Sequence, residues 1–207
     1  MSVAVNHIAP PEERREPTEL GLDDKRGTAG MWLFMATEAS LFIMLFFSYF
    51  YLVVNGTRKT VEEAPKLHFA LPMLGILLVS SAVLHLGERH VKRGNYGRGR
   101  ILLVMTILIG LFFLLLQYFE YREHLKTLSP LANVYGSVFY TITSFHAAHL
   151  ILGLLILGYA LILPRFEPAE WPPHRPYHNA ALYWHFVDVV WIFIVAILYV
   201  APNIWGI

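Results

Sequence analysis

Five long apolar stretches dominate this sequence of 207 residues and limit the folds that it can adopt. Each holds about 20 residues or more, which is the length that crosses about 30 Å of hydrocarbon as an α-helix. Strands of a membrane barrel are about 10 residues long and alternate in polarity, so a barrel does not fit. The sequence predicts an all-α, polytopic membrane bundle with five transmembrane helices at about residues 29–54, 67–87, 101–120, 134–163 and 180–203.

The composition agrees with a membrane protein and excludes several kinds of site. Hydrophobic residues make up 56% of the chain and charged residues 15%, whereas soluble domains carry about 25% charged residues. The chain has no cysteine, which excludes disulfides, thiolate metal sites and a cysteine nucleophile. A formal net charge of +1 gives no reason to expect a nucleic-acid partner.

The charged residues predict two regions and an orientation. Residues 1–28 are polar and lack the short apolar core of a cleaved signal peptide, so we expect a cytoplasmic tail before a transmembrane domain at 29–207. The tail and the loops on its side carry 11 Lys and Arg residues, against 5 on the opposite side. By the positive-inside rule, the N-terminus lies in the cytoplasm and the C-terminus outside.

Glu38 is the ionisable residue whose placement in the membrane has the clearest free-energy cost. Counted from Ala29, its backbone lies about 13 Å into the bilayer, where a carboxylate costs a few kcal/mol or more unless it is protonated or paired. With the predicted orientation, His185 and Asp188 of the fifth helix lie in the same half of the membrane, at similar depth. Glu120 is expected near the outer interface.

The histidines of the fourth helix allow two interpretations. His146 and His149 are three residues apart and share a helix face, and imidazole is the usual axial ligand of haem. Alternatively, they hydrogen-bond to carboxyl or backbone groups inside the bundle. Two histidines on one helix do not suit the two sides of a haem, and no acidic ligand set accompanies them. The sequence also has no nucleophile constellation. We therefore favour the hydrogen-bonded interpretation and predict no metal ligand and no catalytic residue in this chain.

A second pair of interpretations concerns all the intramembrane polar residues. Glu38, His149, Asp188 and His185 would line a proton path, or they would form a polar cluster that holds the helices together. The sequence alone does not distinguish a proton path from a polar cluster between helices.

The aromatic residues are expected to contact lipid or to pack between helices. Trp32, Tyr183, Trp184 and Trp205 fall near predicted helix ends, where interfacial aromatics are common. Trp191 lies deeper and is expected to pack between helices.

Five motifs, in a fixed order, resemble those of one known family. They are WLFMATEASLF at 32–42, LLQYFEY at 115–121, VYGSVFY at 134–140, TSFHAAHLILG at 143–153 and YWHFVDVVWIF at 183–193. Each is similar to a segment of subunit III of the haem–copper terminal oxidases, with Ala147 where that family usually has glycine. The five-helix length resembles the shorter bacterial forms that lack two helices, and the Thr37–Glu38 pair resembles the caa3-type cytochrome c oxidase branch.

The resemblance implies an accessory subunit without haem or copper of its own, in a bacterial cytoplasmic membrane. Such a subunit packs beside catalytic subunit I, with subunit II and further small subunits, holds structural phospholipids, and supports proton uptake and oxygen access. Haem and copper would lie in the partner subunits. Glu38 would be the buried acid and His149 its partner, while His185 and Asp188 would fix the last helix.

Other assignments stay open from the residues alone. Homologues associated with a quinol oxidase or a nitric oxide reductase would share the same fold. A small proton-coupled transporter or a b-type cytochrome would be a different class of protein. Transporters often carry inverted repeats and broken helices, and the sequence has no evident repeat.

Overall fold

The computed structural model describes residues 17–54, 67–125, 134–162 and 174–201. These ranges are helical, apart from a turn at residues 93–95 and the end of the third helix, and contain no strand. A π-helical turn, Val195–Val200, follows the fifth helix directly. The five helices are α1 (Pro17–Val54), α2 (Leu67–Lys92), α3 (Tyr96–His124), α4 (Val134–Ile162) and α5 (His174–Ile194).

All five helices are long and apolar enough, by length and composition, to cross a membrane. The candidate spans are Arg26–Leu52, Phe69–Lys92, Tyr96–His124, Gly136–Ile162 and Pro176–Val200. The predicted fold class is confirmed, and the chain is a multi-pass membrane protein.

The helices extend beyond the predicted apolar spans at their polar ends. α1 begins at Pro17, inside the predicted tail, and α5 begins at His174, six residues before the predicted start. Helix hydrogen bonds need no apolar side chain, and proline is well suited to the first helical position. Residues 1–16, 55–66, 126–133, 163–173 and 202–207 lie outside the described residues.

A tight turn joins α2 and α3 into an antiparallel hairpin. Gly94 has a φ of 77°, which glycine adopts without the steric cost of a Cβ atom. Its N–H donates to the carbonyl of Val91, and the N–H of Asn95 donates to that of His90. The Asn95 side chain then accepts from the N–H of Arg98 and caps α3.

Contacts at the helix ends show that the helices alternate in direction. Thr28 near the start of α1 bonds Asn179 near the start of α5, and His178 beside Asn179 bonds Glu88 at the end of α2. At the opposite side of the bundle, Tyr199 after α5 bonds Glu120 near the end of α3.

Helix α5 is the centre of the bundle, because it packs against α1, α2 and α4. Its residue Trp184 is fully buried, and its indole N–H donates to Ser80 of α2 at 3.0 Å. The ring passes beside Gly110 of α3 and Gly153 of α4. One side chain of α5 therefore contacts three other helices.

The burial of Tyr183 and Trp184 corrects their predicted interfacial position. Both are 0% exposed. The prediction placed them near a helix end, but α5 starts earlier and carries them into the bundle. Trp32 is 58% exposed, which suits the lipid interface. Trp191 is fully buried and contacts Phe113 of α3 and His146 of α4. Trp205 lies outside the described residues.

Helix α1 lies at the edge of the bundle, against α4 and α5. It buries Met35, Phe42 and Tyr49, which follow each other at intervals of seven residues along one face. Most of its other large apolar side chains are exposed, as expected of a helix that faces lipid rather than water.

We expect Gly110→Ala to destabilise the bundle. A Cβ atom at Gly110 would lie 2.6 Å from Cη2 of Trp184 and 2.9 Å from Cδ2 of Leu154, and overpacking of this kind costs about 1–3 kcal/mol. Gly158→Ala is the matched control, because a Cβ there meets nothing within 4 Å. The midpoint of thermal aggregation in detergent should fall for Gly110→Ala only. Equal midpoints for both variants would contradict the packing described for Trp184.

Candidate functional site

The Glu38 carboxyl pairs with His149 across the α1–α4 interface. Glu38 Oε2 lies 2.8 Å from Nε2 of His149, and the two side chains are 23% and 10% exposed. This is the contact that the resemblance implied. Because α1 lies at the edge of the bundle, the pair is close to the lipid-facing surface without projecting into it.

The contacts of His149 allow two simple ways for the pair to share one proton. His149 Nδ1 lies 2.7 Å from the carbonyl oxygen of Phe145, and a carbonyl only accepts, so Nδ1 carries a hydrogen. Nε2 then accepts a proton from a neutral Glu38, or it donates as part of an imidazolium to a Glu38 carboxylate. In both states one proton lies between Glu38 and His149, and the pair has no net charge.

Aromatic residues fix the His149 ring and its helix. Phe42 of α1 contacts the imidazole edge-on, with ring centroids 4.9 Å apart. Tyr183 of α5 donates to the carbonyl of His149 at 3.5 Å and stacks on Phe34 of α1 at 5.8 Å. Three helices therefore hold the pair in position.

A second polar cluster joins α2 to α5. The Ser81 hydroxyl donates to Oδ2 of Asp188 and lies 2.7 Å from Nδ1 of His185. The serine is thus between the imidazole and the carboxylate, whereas activation of a serine nucleophile requires the imidazole to be between the other two. This order of contacts fits a link between helices.

The predicted proton path is divided between two sets of contacts. Within the described ranges, no hydrogen bond joins the Glu38–His149 pair to the Ser81, His185 and Asp188 cluster. The pair lies on the α1 and α4 side, whereas the cluster lies on the α2 side of α5.

A third cluster surrounds Glu120, which is fully buried near the end of α3. Its carboxyl accepts from Tyr199 at 2.8 Å and from the Gln117 amide at 3.2 Å. Tyr199 belongs to the π-helical turn, a local change of helix register that is common at functional or specialised positions. Next to Glu120 in the sequence, Tyr121 donates to Thr143 of α4 at 2.7 Å.

His146 is buried among aromatic rings at the centre of the bundle. It is 0% exposed and stacks on Trp191 of α5 with ring centroids 4.8 Å apart. Phe113 of α3 contacts it edge-on. Neither ring nitrogen of His146 has a hydrogen-bond partner among the described residues.

The ring nitrogens bear directly on the haem interpretation. Both nitrogens of His149 are engaged, with Phe145 and Glu38, and Nδ1 of His185 is engaged with Ser81. Three or more His, Asp or Glu residues that could hold a metal ion do not converge anywhere in the described part of the chain. The arrangement of His149 is that of a hydrogen-bonded residue rather than of an axial ligand. Both nitrogens of His146 have no partner among the described residues, but its ring packs against Trp191 and Phe113.

Several partners of these residues were missed from the sequence. Ser80 and Ser81 form a polar dipeptide inside an apolar span, which is a signal in itself. Glu88 is the acidic residue of an otherwise basic helix end, and it binds His178 and Lys92, both at 2.7 Å. Tyr199 gave no signal, because its contact with Glu120 depends on the π-helical turn.

Comparison with known proteins decides the family. A sequence model of cytochrome c oxidase subunit III matches residues 23–207. The chain belongs to the cytochrome c oxidase subunit III family. The resemblance carried by the five motifs is confirmed.

Individual relatives agree with this assignment of the chain to the subunit III family. Cytochrome c oxidase subunit 3 of Heterololigo bleekeri is 34% identical over 188 residues, which are 86% of this chain and 69% of the relative. The Drosophila yakuba protein of the same name is 31% identical over 204 residues, 93% of this chain and 76% of the relative. The Gallus gallus protein is 33% identical over 188 residues, 86% and 69% respectively.

In this subunit III chain, the motifs that carried the resemblance meet one another in space. Glu38 from the first motif contacts His149 from the fourth. Tyr121 from the second contacts Thr143 from the fourth, and Tyr183 from the fifth donates to the His149 backbone. The motifs therefore specify contacts between helices as well as the sequence of each helix.

We expect Glu38→Gln to preserve the stability of the bundle and Glu38→Ala to lower it. The glutamine amide donates to the neutral Nε2 of His149, whereas alanine leaves that nitrogen unpartnered, at a cost of about 1–3 kcal/mol. Thermal aggregation midpoints of the two variants and the wild type check this. A Glu38→Ala protein as stable as Glu38→Gln would show that the pair adds nothing to the α1–α4 interface.

Proposed function

We propose that this chain is the accessory, non-redox subunit III of a proton-pumping haem–copper cytochrome c oxidase. It packs beside catalytic subunit I, in a complex with subunit II and small subunits, and the reduction of oxygen takes place outside this chain. Membership of the subunit III family supports this role. We further propose a bacterial cytoplasmic membrane, with the N-terminus in the cytoplasm, on the basis of the short five-helix form and the distribution of Lys and Arg.

The observation that carries the proposal is the 2.8 Å contact between the Glu38 carboxyl and Nε2 of His149. A neutral pair at the edge of the bundle holds a proton inside hydrocarbon without the cost of a net charge. The proton moves between Glu38 and His149 when the neutral and the ionic states interchange. This supports a role in proton uptake by the oxidase, in which subunit III supplies a proton-holding group and the catalytic subunit performs the chemistry.

The role of lipid is supported by the surface of α1. Apolar side chains of α1 such as Leu33, Ile43, Met44 and Phe47 are exposed next to the helix face that packs against α4 and α5. A shallow groove on this helix is lined by Phe47, Ser48, Tyr51 and Leu52. Structural phospholipids bound along α1 would cover the Glu38–His149 pair and provide an apolar route for oxygen towards the neighbouring subunit.

Haem and copper belong, in this proposal, to the partner subunits. The engagement of both His149 nitrogens and of His185 Nδ1 in hydrogen bonds supports this. The phospholipids are then the only ligands of this chain that the function requires.

Purification in mild detergent should recover the chain with a haem-containing complex. We expect subunits I and II of an oxidase to copurify with a tagged chain, and the visible spectrum of the complex to show haem. After dissociation, the separated chain should lack a Soret band. A stoichiometric Soret band on the separated chain would favour a b-type cytochrome, and copurification of a nitric oxide reductase or a quinol oxidase would reassign the complex.

Carbodiimide labelling should identify Glu38 as the reactive carboxyl of the chain. Hydrophobic carbodiimides enter from lipid and react with protonated carboxyls, and Glu38 is partly exposed whereas Glu120 is fully buried. Glu38→Gln should abolish labelling of the chain, and the matched variant Glu120→Gln should leave it unchanged. Mass spectrometry of the labelled peptides measures both. Labelling that persists in Glu38→Gln would place the reactive carboxyl elsewhere.

A further inference from the structure

The interior of the bundle holds a set of polar atoms that other residues do not satisfy. Trp191 Nε1, Gln117 Oε1, Asp188 Oδ1 and both ring nitrogens of His146 are buried and have no hydrogen-bond partner among the described residues. A buried polar group without a partner costs free energy comparable to a lost hydrogen bond, and more where no water from outside can reach it. Such atoms therefore indicate that a polar ligand binds beside them.

Two members of this set, His146 and Trp191, are in direct contact. The ring of His146 stacks on Trp191 with centroids 4.8 Å apart and meets Phe113 with centroids 6.1 Å apart. Asp188 lies three residues before Trp191 on α5, and Gln117 lies four residues after Phe113 on α3, so each shares a face with its neighbour. Helices α3, α4 and α5 all contribute to the set.

The balance of donors and acceptors identifies the chemistry of the ligand. Trp191 Nε1 only donates, the free oxygens of Gln117 and Asp188 only accept, and a neutral His146 offers one donor and one acceptor. Because the rings of His146 and Trp191 are stacked with an interplanar angle of 24°, the in-plane N–H of one ring does not point at the nitrogens of the other. Water supplies two donors and two acceptors, and a single water bridges groups about 5.5 Å apart.

We propose that His146 holds ordered internal water within the bundle, shared with the indole N–H of Trp191. The water accepts from Trp191 and donates to one nitrogen of His146, and the N–H of His146 donates to a second water or to an acceptor of α3 or α5. Buried waters in proteins typically make about three hydrogen bonds to groups that would otherwise be unsatisfied. His146 is then a water-binding residue at the centre of the bundle, between aromatic side chains of α3 and α5.

Along α4, His146 lies between two residues that bond other helices. His149, the partner of Glu38, lies one helical turn on one side, and Thr143, which bonds Tyr121, lies one turn on the other. Hydrated groups at His146 therefore lie between the Glu38–His149 pair and the Glu120 end of the bundle. The inference goes beyond the proposed function and does not depend on it, because it concerns only the interior of this chain.

Radiolytic hydroxyl labelling of the intact complex tests the proposal directly. Millisecond X-ray pulses generate hydroxyl radicals from bound water in place, so a buried residue beside water is oxidised although bulk solvent does not reach it. Trp184 is the matched internal control, since it is as fully buried as Trp191 but its N–H is bonded to Ser80. We expect oxidation of Trp191 at a rate at least several-fold above that of Trp184, with ¹⁸O incorporation from labelled water.

The variant His146→Phe separates water held by His146 from water held elsewhere. It keeps an aromatic ring beside Trp191 and removes both nitrogens, so oxidation of Trp191 should fall towards the rate of Trp184. His146→Gln keeps polar atoms and should retain a higher rate. Equal rates for Trp191 and Trp184 in the wild-type complex would overturn the proposal, and this comparison remains decisive even where a variant fails to assemble. An unchanged Trp191 rate in His146→Phe would equally reject His146 as the water-binding residue.

Discussion

Hydrocarbon offers no hydrogen bonds, and this constraint governs where the polar side chains of the bundle lie. Glu38, Glu120 and Asp188 each lie within a span long enough to cross a membrane, and each bonds a residue of another helix: His149, Tyr199 and Ser81 respectively. Polar pairs of this kind add modest stability, because the unfolded chain in a membrane also finds partners. Their larger effect is to select one arrangement of the helices, since any other would leave carboxyl groups in lipid without a partner.

Apolar packing also stabilises the arrangement of helices that the polar pairs favour. Trp184 fits between Gly110 and Gly153 and is tied to Ser80, so its position requires α2, α3 and α4 to be correctly placed together. Without a hydrophobic force to drive helices together in lipid, close contact at small residues supplies much of the attraction. Helix α1 lacks such a site in the described contacts. It is held by one apolar face, by the contacts of Thr28 with Asn179 and of Phe34 with Tyr183, and by the Glu38–His149 pair. Glu38 therefore lies on a helix that also exposes many large apolar side chains to lipid.

The sequence predicted the number and type of helices because membrane thickness sets a minimum length for an apolar segment that crosses it. It also identified Glu38 and His149 as partners, but only through the resemblance of the motifs. The contacts of Ser81 and His178 were missed, since the rotation of each helix about its axis is not visible in an apolar run. Tyr183 and Trp184 were misplaced because the polar first residues of α5 hid the true start of the helix. Tyr199 required the π-helical turn, a change of register that depends on packing rather than on composition.

The central position of α5 has a consequence for biosynthesis. This helix follows the other four in the chain, so four hydrophobic segments emerge from the ribosome before their common partner has been made. Before α5 is inserted, three groups lack their hydrogen-bond partners on that helix: Ser80, Ser81 and the backbone carbonyl of His149. Gly110 and Gly153 then face lipid instead of the indole ring of Trp184. Assembly of the interior is therefore a late event, completed only after α5 enters the bilayer. A chaperone or a neighbouring subunit that shields these groups would act in the interval between insertion of α4 and insertion of α5.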